Sequence, residues 1–359
     1  MKKWYCESIL ITFVSLVAVL LYFSPACAVE AKLSGQVNQL IMWADNGVDN
    51  DIFIGDNENS STRLRFTGSE EFNGMTAGIR IEFDAERNLS SNFDLPNRGD
   101  GTFRLLDRWL DATFAGAFGK ISLGKGDGAA NNSAEVDLSG TAVITYSGVN
   151  NTAGGFTFID KTTHLPSGTT VVDTRSNFDG LSRNSRLRYD TPNFAGFSLA
   201  GSLTNGNAWE VSGWYTGEFD GFGKLAVAVG YVDTNDRGAR GSEFTQWDGS
   251  VSWLAPFGLN VTLAVGQQDP DAAGSVKADN GYVKVGWQFG SIHAASVEYG
   301  HTKDLDLRGD KSKNYGLAYV IKPWKSVELY AAARLYELDR RGASLDDIKQ
   351  IMAGTRIKF

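Results

Sequence analysis

The chain has 359 residues, with 34 basic against 42 acidic side chains for a net charge of −8, 41 glycines, 7 prolines and 2 cysteines. The acidic balance offers no basic face for nucleic acid. Both cysteines fall within the first 27 residues, so the rest of the chain has no thiol for a disulfide or a Cys–metal site.

The chain opens with Lys2 and Lys3, then an almost unbroken apolar run from Ile9 to Phe23, then Ala26-Cys27-Ala28. Charge, apolar core and a small-x-small site in that order define a secretory signal, so residues 1–28 are expected to be cleaved and 29–359 to form one domain. The run is shorter than the ~20 residues of a spanning helix, and Ser24-Pro25 does not suit a lipobox at Cys27. Cleavage leaves 34 − 2 = 32 basic and 42 − 1 = 41 acidic residues, a net charge near −9. The longest later apolar run, Leu225 to Val232, is only about eight residues. A place in a membrane is then open only to a closed barrel, because lipid gives backbone N–H and C=O groups no partner.

From Lys32 onward, period-2 alternation dominates. It is clear in Thr62-Arg63-Leu64-Arg65-Phe66, in Ile79-Arg80-Ile81-Glu82-Phe83-Asp84, in Lys120-Ile121-Ser122-Leu123, in Arg186-Leu187-Arg188-Tyr189 and in Asn260-Val261-Thr262-Leu263. Two kinds of connection take turns. Short ones carry Gly, Asn or Pro with an aromatic: Phe72-Asn73-Gly74, Gly116-Ala117-Phe118-Gly119, Pro192 to Gly196, Phe219 to Phe222, Ala255 to Gly258, Phe289-Gly290-Ser291 and Lys322 to Lys325. The others, mostly longer and polar, are 45–59, 89–102, 128–184, 204–207, 234–242, 269–279, 304–312 and 339–346. Seven turns and eight loops make sixteen strands. Tight turns on one side, elaborated loops on the other and an aromatic at every turn are the marks of a transmembrane antiparallel β-barrel with an interfacial girdle. A soluble all-β protein would instead carry those aromatics as a sticky patch, and no blade-length repeat supports a propeller. The last segment closes the pattern: Ile351, Ala353, Ile357 and Phe359 share one face, and Gly354, Arg356 and Lys358 the other.

Ser61-Thr62-Arg63-Leu64-Arg65-Phe66-Thr67-Gly68-Ser69-Glu70-Glu71 resembles the second strand of the Gram-negative general porin family, where an Arg precedes Gly-Ser-Glu-Asp/Glu and a glycine-rich turn. Arg108 to Phe114 followed by Gly119 to Lys125 is similar to the pair of strands leading into that family's constriction loop, with Gly124-Lys125 in place of the usual Gly-Arg. Arg183 to Pro192, then Phe194-Ala195-Gly196-Phe197, looks like the strand after it. The resemblance spans the chain beyond the signal. It implies an all-β, sixteen-stranded barrel, a homotrimer, in the outer membrane of a Gram-negative bacterium, with the third external loop folded into the pore. Segment 128–184, about 57 residues, holds that position but departs from the short acidic motif of enterobacterial porins. Expected partners are outer-membrane lipid and lipopolysaccharide, and the barrel-assembly machinery through the terminal Phe359.

A charge on the lipid face costs roughly 2–4 kcal/mol at mid-membrane, so Arg63 and Arg65, and likewise Arg80, Glu82 and Asp84, are expected to line the lumen. Loop acids Asp127, Glu135, Asp137, Asp160, Asp173 and Asp179 are candidates for the opposite side of a transverse field. Arg108, Lys125, Arg186 and Arg188, in the motifs that carry the resemblance, complete the expected pore lining. The Asp-rich stretch Asp45 to Glu58 could take Ca²⁺, though it lacks the EF-hand spacing; otherwise no cofactor is expected. His164, His293 and His301 are too scattered for a metal site. The function expected is a passive channel for small hydrophilic solutes and ions, not an enzyme. The alternatives are a substrate-specific channel, marked by an aromatic track or a basic ladder, and a barrel hydrolase, against which stands the absence of any Gly-x-Ser-x-Gly elbow.

Overall fold

The computed structural model describes residues 30–96, 98–99, 101–235 and 243–359. The expected signal, 1–28, lies outside the described residues, as do residues 236–242 of the loop expected at 234–242. The strands are β1 (Glu30–Asp45), β2 (Asn50–Asp56), β3 (Arg63–Phe72), β4 (Met75–Glu86), β5 (Arg104–Gly116), β6 (Gly119–Asp127), β7 (Thr157–Ile159), β8 (Pro166–Thr170), β9 (Arg183–Asp190), β10 (Phe197–Thr204), β11 (Trp209–Phe219), β12 (Gly223–Asp233), β13 (Phe244–Leu254), β14 (Leu259–Pro270), β15 (Ala278–Phe289), β16 (His293–Lys303), β17 (Lys311–Trp324), β18 (Val327–Asp339) and β19 (Ile348–Lys358). β7 and β8 pair only with each other, inside the long loop.

Among the described residues the other seventeen segments form one antiparallel sheet. β2 and β3 both pair with β1, over Gln39 to Asp45 and Glu30 to Gln36 respectively, so they are two halves of one strand interrupted at 57–62. The barrel therefore has sixteen strands. It closes where β1 meets β19, from Gln36 opposite Lys358 to Asp45 opposite Lys349. Gly35 and Phe359 exchange both backbone hydrogen bonds, 2.9 and 3.1 Å, which seals the carboxyl terminus into the ring. Gly35 is needed there: a Cβ would stand 2.6 Å from the Phe359 ring and 2.5 Å from the Arg63 carbonyl.

The barrel reverses the distribution of a soluble protein. Leu33, Val37, Ile41, Leu199, Val229, Leu263, Val297, Leu317 and Ile351 are exposed on the outside, while Asn38, Glu82, Glu210, Lys284, Glu298 and Asn314 are buried on the inside. Lipid covers the first set and the second finds partners. All seven expected short turns connect consecutive strands at one end, and Phe118, Phe194, Phe222, Phe257, Phe289 and Trp324 stand exposed there.

The first loop is shorter than expected. Rather than a loop over 45–59, the chain turns at 46–49 and returns as β2, because Ile52 and Ile54 face outward on either side of the inward Phe53. Arg98 bridges Asp49 and Asp51 of this Asp-rich stretch. The strand breaks at 57–62, where Asn57 Nδ2 donates to the Val143 carbonyl (3.0 Å) and Asn59 Nδ2 to that of Ile144 (2.5 Å). Phe53 stacks on Phe93 at 5.0 Å and meets Phe156 edge-on at 5.5 Å. These rings join Ile144, Val149, Phe158, Tyr336 and Ile348 in an apolar core between segment 128–182 and the wall.

Candidate functional site

The alternation of β3 and β4 sends Arg63, Arg65, Arg80, Glu82 and Asp84 to the interior, since their neighbours Leu64 and Phe66 face out. Arg108 arrives differently. β5 pairs Glu82 with Trp109 and Phe83 with Asp107, leaving Arg108 as the extra residue of a β-bulge. A bulge turns two successive side chains the same way, so both Arg108 and Trp109 point inward. Glu82, fully buried, is the centre of the cluster. Arg108 Nε donates to it at 2.9 Å and Arg80 Nη2 at 2.8 Å, Arg65 Nε also donates, and Arg63 lies at 3.8 Å. Arg108 Nη1 reaches Asp84 at 2.9 Å, and the Ser61 hydroxyl donates to the same carboxylate at 2.6 Å. Glu82 and Asp84 thus serve as counter-ions embedded in a set of four arginines. Arg80 lies 3.8 Å over the Trp109 ring, and Arg186 lies 5.5 Å from it.

Segment 128–182 is bound to the inward residues of the remaining strands. Backbone N–H groups of Ala129, Val136 and Leu138 donate to Ser202, Ser250 and Ser252, each at 2.9 Å. Arg175, almost wholly buried, donates to Thr302 (2.9 Å) and Asn314 (2.6 Å). From the wall, Arg334 pairs with Glu298 at 2.7 Å and donates to Thr152 at 2.8 Å, while Tyr336 donates to the Val149 carbonyl and Gln350 to that of Thr152. The loop's base is tied by two arginines of β9. Arg186 donates to Asp111 (2.8 Å) and to the carbonyls of Gly124 and Asp127, and Arg188 donates to the Gly128 carbonyl at 2.6 Å and pairs with Asp190. These bonds run from β10 round to β19, Asn57 and Asn59 add two at the break between β2 and β3, and below that break the arginine-bearing sector faces the loop across open space.

That space is a cavity of about 570 Å³. Arg63, Arg108, Arg356 and, at the start of β9, Arg183 border it from the wall, and Glu135, Asn150, Asn177 and Asp179 from the loop. Glu135 accepts a hydrogen bond from Asn177 at 2.8 Å, and burial raises its carboxyl to about 7. Asp179 accepts from the N–H groups of Asn132 (2.7 Å) and Ala134 (3.0 Å), yet burial, with Glu135 nearby, lifts it well above the usual carboxylate range. Asp127 lies 3.3 Å from Arg183.

The structure therefore brings together Arg63, Arg65, Arg80, Glu82, Asp84 and Arg108, gathers Asp127, Arg186 and Arg188 at the loop's base, and sets Glu135 across the gap. Two residues expected in the pore lining are elsewhere. Lys125 shares the outer face with Leu123 and its cross-strand partner Leu110, and pairs there with Asp107 at 2.9 Å. Asp137 faces away from the arginines, bound at 2.5 Å to the fully buried Lys284 of β15, which also donates to Ser139 and Thr141. Asp160 and Asp173 do not line the gap: Asp160 accepts from Thr162 and Thr163 N–H, and Asp173 closes a capping box with Thr170. Reasoning from sequence missed Trp109, Arg183 and Lys284. Alternation about Leu110 could have found the first, but the bulge that adds Arg108 to the same side has no sequence signal. Among the described residues no group of three or more His, Cys, Asp or Glu side chains could hold a metal ion.

A closed sixteen-stranded barrel, apolar outside and charged within, defines a transmembrane β-barrel channel. The family model of Gram-negative porins matches residues 15–341, and the chain belongs to that family. It is an outer-membrane diffusion channel. Solved structures share the fold. The anion-selective porin from Comamonas acidovorans is 16% identical, with a TM-score of 0.60 over 92% of this chain and 100% of its own. OmpF of Salmonella typhi, in a complex with daunomycin, is 15% identical, with a TM-score of 0.58 over 92% and 97%. The outer membrane channel DcaP of Acinetobacter baumannii is 11% identical, with a TM-score of 0.58 over 94% and 99%. No curated protein matches the chain.

Proposed function

We propose that the gap between the arginine cluster and segment 128–182 is the constriction of a passive, non-catalytic channel for small hydrophilic solutes and ions, with the third external loop folded into the pore. The observation that carries this reading is the uneven anchoring of the loop. Most of its hydrogen bonds go to the wall from β10 round to β19, and Arg63 and Arg108, two of the four arginines gathered on Glu82, border the polar cavity on the opposite side. Cations on one side and carboxylates and amides on the other give a field across the passage, which orients dipolar solutes and sets ion preference. Arg63, Arg65, Arg80 and Arg108 are the wall half, with Glu82 and Asp84 as counter-ions. Glu135, Asp127 and Asp179 are the loop half.

The chain assembles as a homotrimer in contact with outer-membrane lipid and lipopolysaccharide, delivered by the barrel-assembly machinery through Phe359. OmpT of Vibrio cholerae, 14% identical with a TM-score of 0.59, is named in a trimer form. The test is reconstitution of the purified protein in a planar bilayer. Steady, ohmic steps and solute uptake that slows with solute size are expected. A sealed barrel that hydrolyses esters would overturn the reading in favour of an enzyme.

A further inference from the structure

Below the constriction, toward the short turns, lies a second space of about 710 Å³ whose lining differs from the gap above it. This volume falls within the roughly 300–1,000 Å³ of small-molecule sites. Cations stand along it in descending order: Arg80 on β4, Arg188 on β9 and Lys120 on β6. Arg186, paired with Asp111 at 2.8 Å, and Asp127 also border the space, so its lining carries four cations against three carboxylates. Lys120 and Arg188 share one carboxylate, Asp190, at 3.6 and 2.7 Å. Arg80 shares Glu82 with three other arginines, and its buried Nε has no hydrogen-bond partner.

Two tryptophans also face this chamber. Trp109 is at its upper end with its ring stacked against the Arg80 guanidinium, and Trp214 stands on β11 with its indole N–H donating to Ser212 at 2.8 Å. Hydroxyls of Thr67, Thr113, Ser122, Ser198 and Thr216 fill the surface between them. An indole inside an aqueous pore forgoes the burial that normally places it. Its energetic use there is contact with a ring or an apolar face of a passing solute.

We propose that this chamber is a binding station for hydroxylated, ring-bearing organic anions, the sugar-acid class, with the carboxylate at Lys120 and Arg188 and the ring against Trp214. The assignment rests on the channel reading above and narrows its solute class. Surplus positive charge selects the anion, hydroxyls match a polyol, and the indole supplies a flat face that chloride and acetate cannot use.

The test is block of single-channel chloride current by glucuronate, with acetate and glucose as comparison solutes, each normalised to the channel's own conductance in KCl. Wild-type channels are expected to be blocked by glucuronate at lower concentration than by acetate or glucose. Lys120→Gln and Trp214→Leu should each weaken glucuronate block roughly fivefold, about 1 kcal/mol. Trp214→Leu should leave the acetate response unchanged, and Trp287→Leu on the outer face should change nothing. Equal block by glucose, or undiminished block in Trp214→Leu, overturns the station alone. Absence of any steady conductance in the wild type overturns the channel reading and the station with it.

Discussion

Replacing Arg63 and Arg65 together by glutamine should move the channel toward cations by an amount that can be worked out beforehand. A unit charge acts on a monovalent ion at about 8 Å with roughly 0.5 kcal/mol in water, and at ~0.1 M salt, with a Debye length of ~10 Å, about half survives. Two arginines then contribute roughly 0.5 kcal/mol per ion, of opposite sign for cation and anion. The cation-to-anion permeability ratio should rise by roughly 1 kcal/mol, about fivefold. The fold should tolerate the change, because Glu82 keeps Arg80 at 2.8 Å and Arg108 at 2.9 Å. The reversal potential across a KCl gradient measures the ratio directly. At 1 M salt, where the Debye length is ~3 Å, most of the shift should vanish. An unchanged reversal potential at low salt, or a shift of equal size at 1 M, would refute the placement of these charges at the ion path.

The other consequences concern the loop and the seam. Burial raises the Glu135 carboxyl to about 7, with Arg183 favouring its charged form and Asp127, Asp179 and Asp248 opposing it, so it gains charge as the pH climbs through neutrality. Anion preference, read from reversal potentials, should therefore decline between about pH 6 and 8, and Glu135→Gln should flatten the profile. The folded state holds this proton more tightly than the unfolded chain, so the group's contribution to stability falls as the pH rises from 4.5 to about 7. Lys284→Met leaves Asp137 buried without its cation and should cost roughly 3–5 kcal/mol in denaturant unfolding, with much of the loss recovered in Lys284→Met/Asp137→Asn. Gly35→Val forces Phe359 off the seam and should lower unfolding stability by roughly 1–3 kcal/mol.

Strand count, hairpins and closure were legible in the sequence because a membrane enforces them locally: each outward residue must be apolar, and each turn can carry an interfacial ring. Where the sequence misleads, composition or motif outweighs the phase of the alternation. Asn50 to Asp56 looked like a loop because its acids and amides outweighed the alternation of Ile52, Phe53 and Ile54. The resemblance puts Lys125 in the pore, although Leu123 two positions earlier fixes it to the outside, where Asp107 neutralises it. Strict alternation would have sent Arg108 the wrong way, since its orientation comes from a bulge set by pairing with β4. Asp137 and Glu135 lie two residues apart in one loop. Only the contact with Lys284 of β15, far along the chain, separates their environments, and no local pattern encodes that.

The inner wall divides its charges between two tasks. Lys284–Asp137 and Arg334–Glu298 are fully buried or nearly so, and buried ion pairs often stabilise no better than well-packed apolar residues of the same volume. What they add is direction. An apolar contact lets a loop slide, whereas an ammonium bonded to Asp137, Ser139 and Thr141, or a guanidinium fork, fixes its register. On the proposed reading, these pairs set the width of the passage while the partly exposed arginines opposite set its field. The two properties should then separate on mutation. Loosening the far-side anchors should make single-channel currents noisier without shifting the reversal potential, and neutralising the near-side arginines should shift that potential without adding noise. A channel whose width and field were set by the same side chains could not show that division.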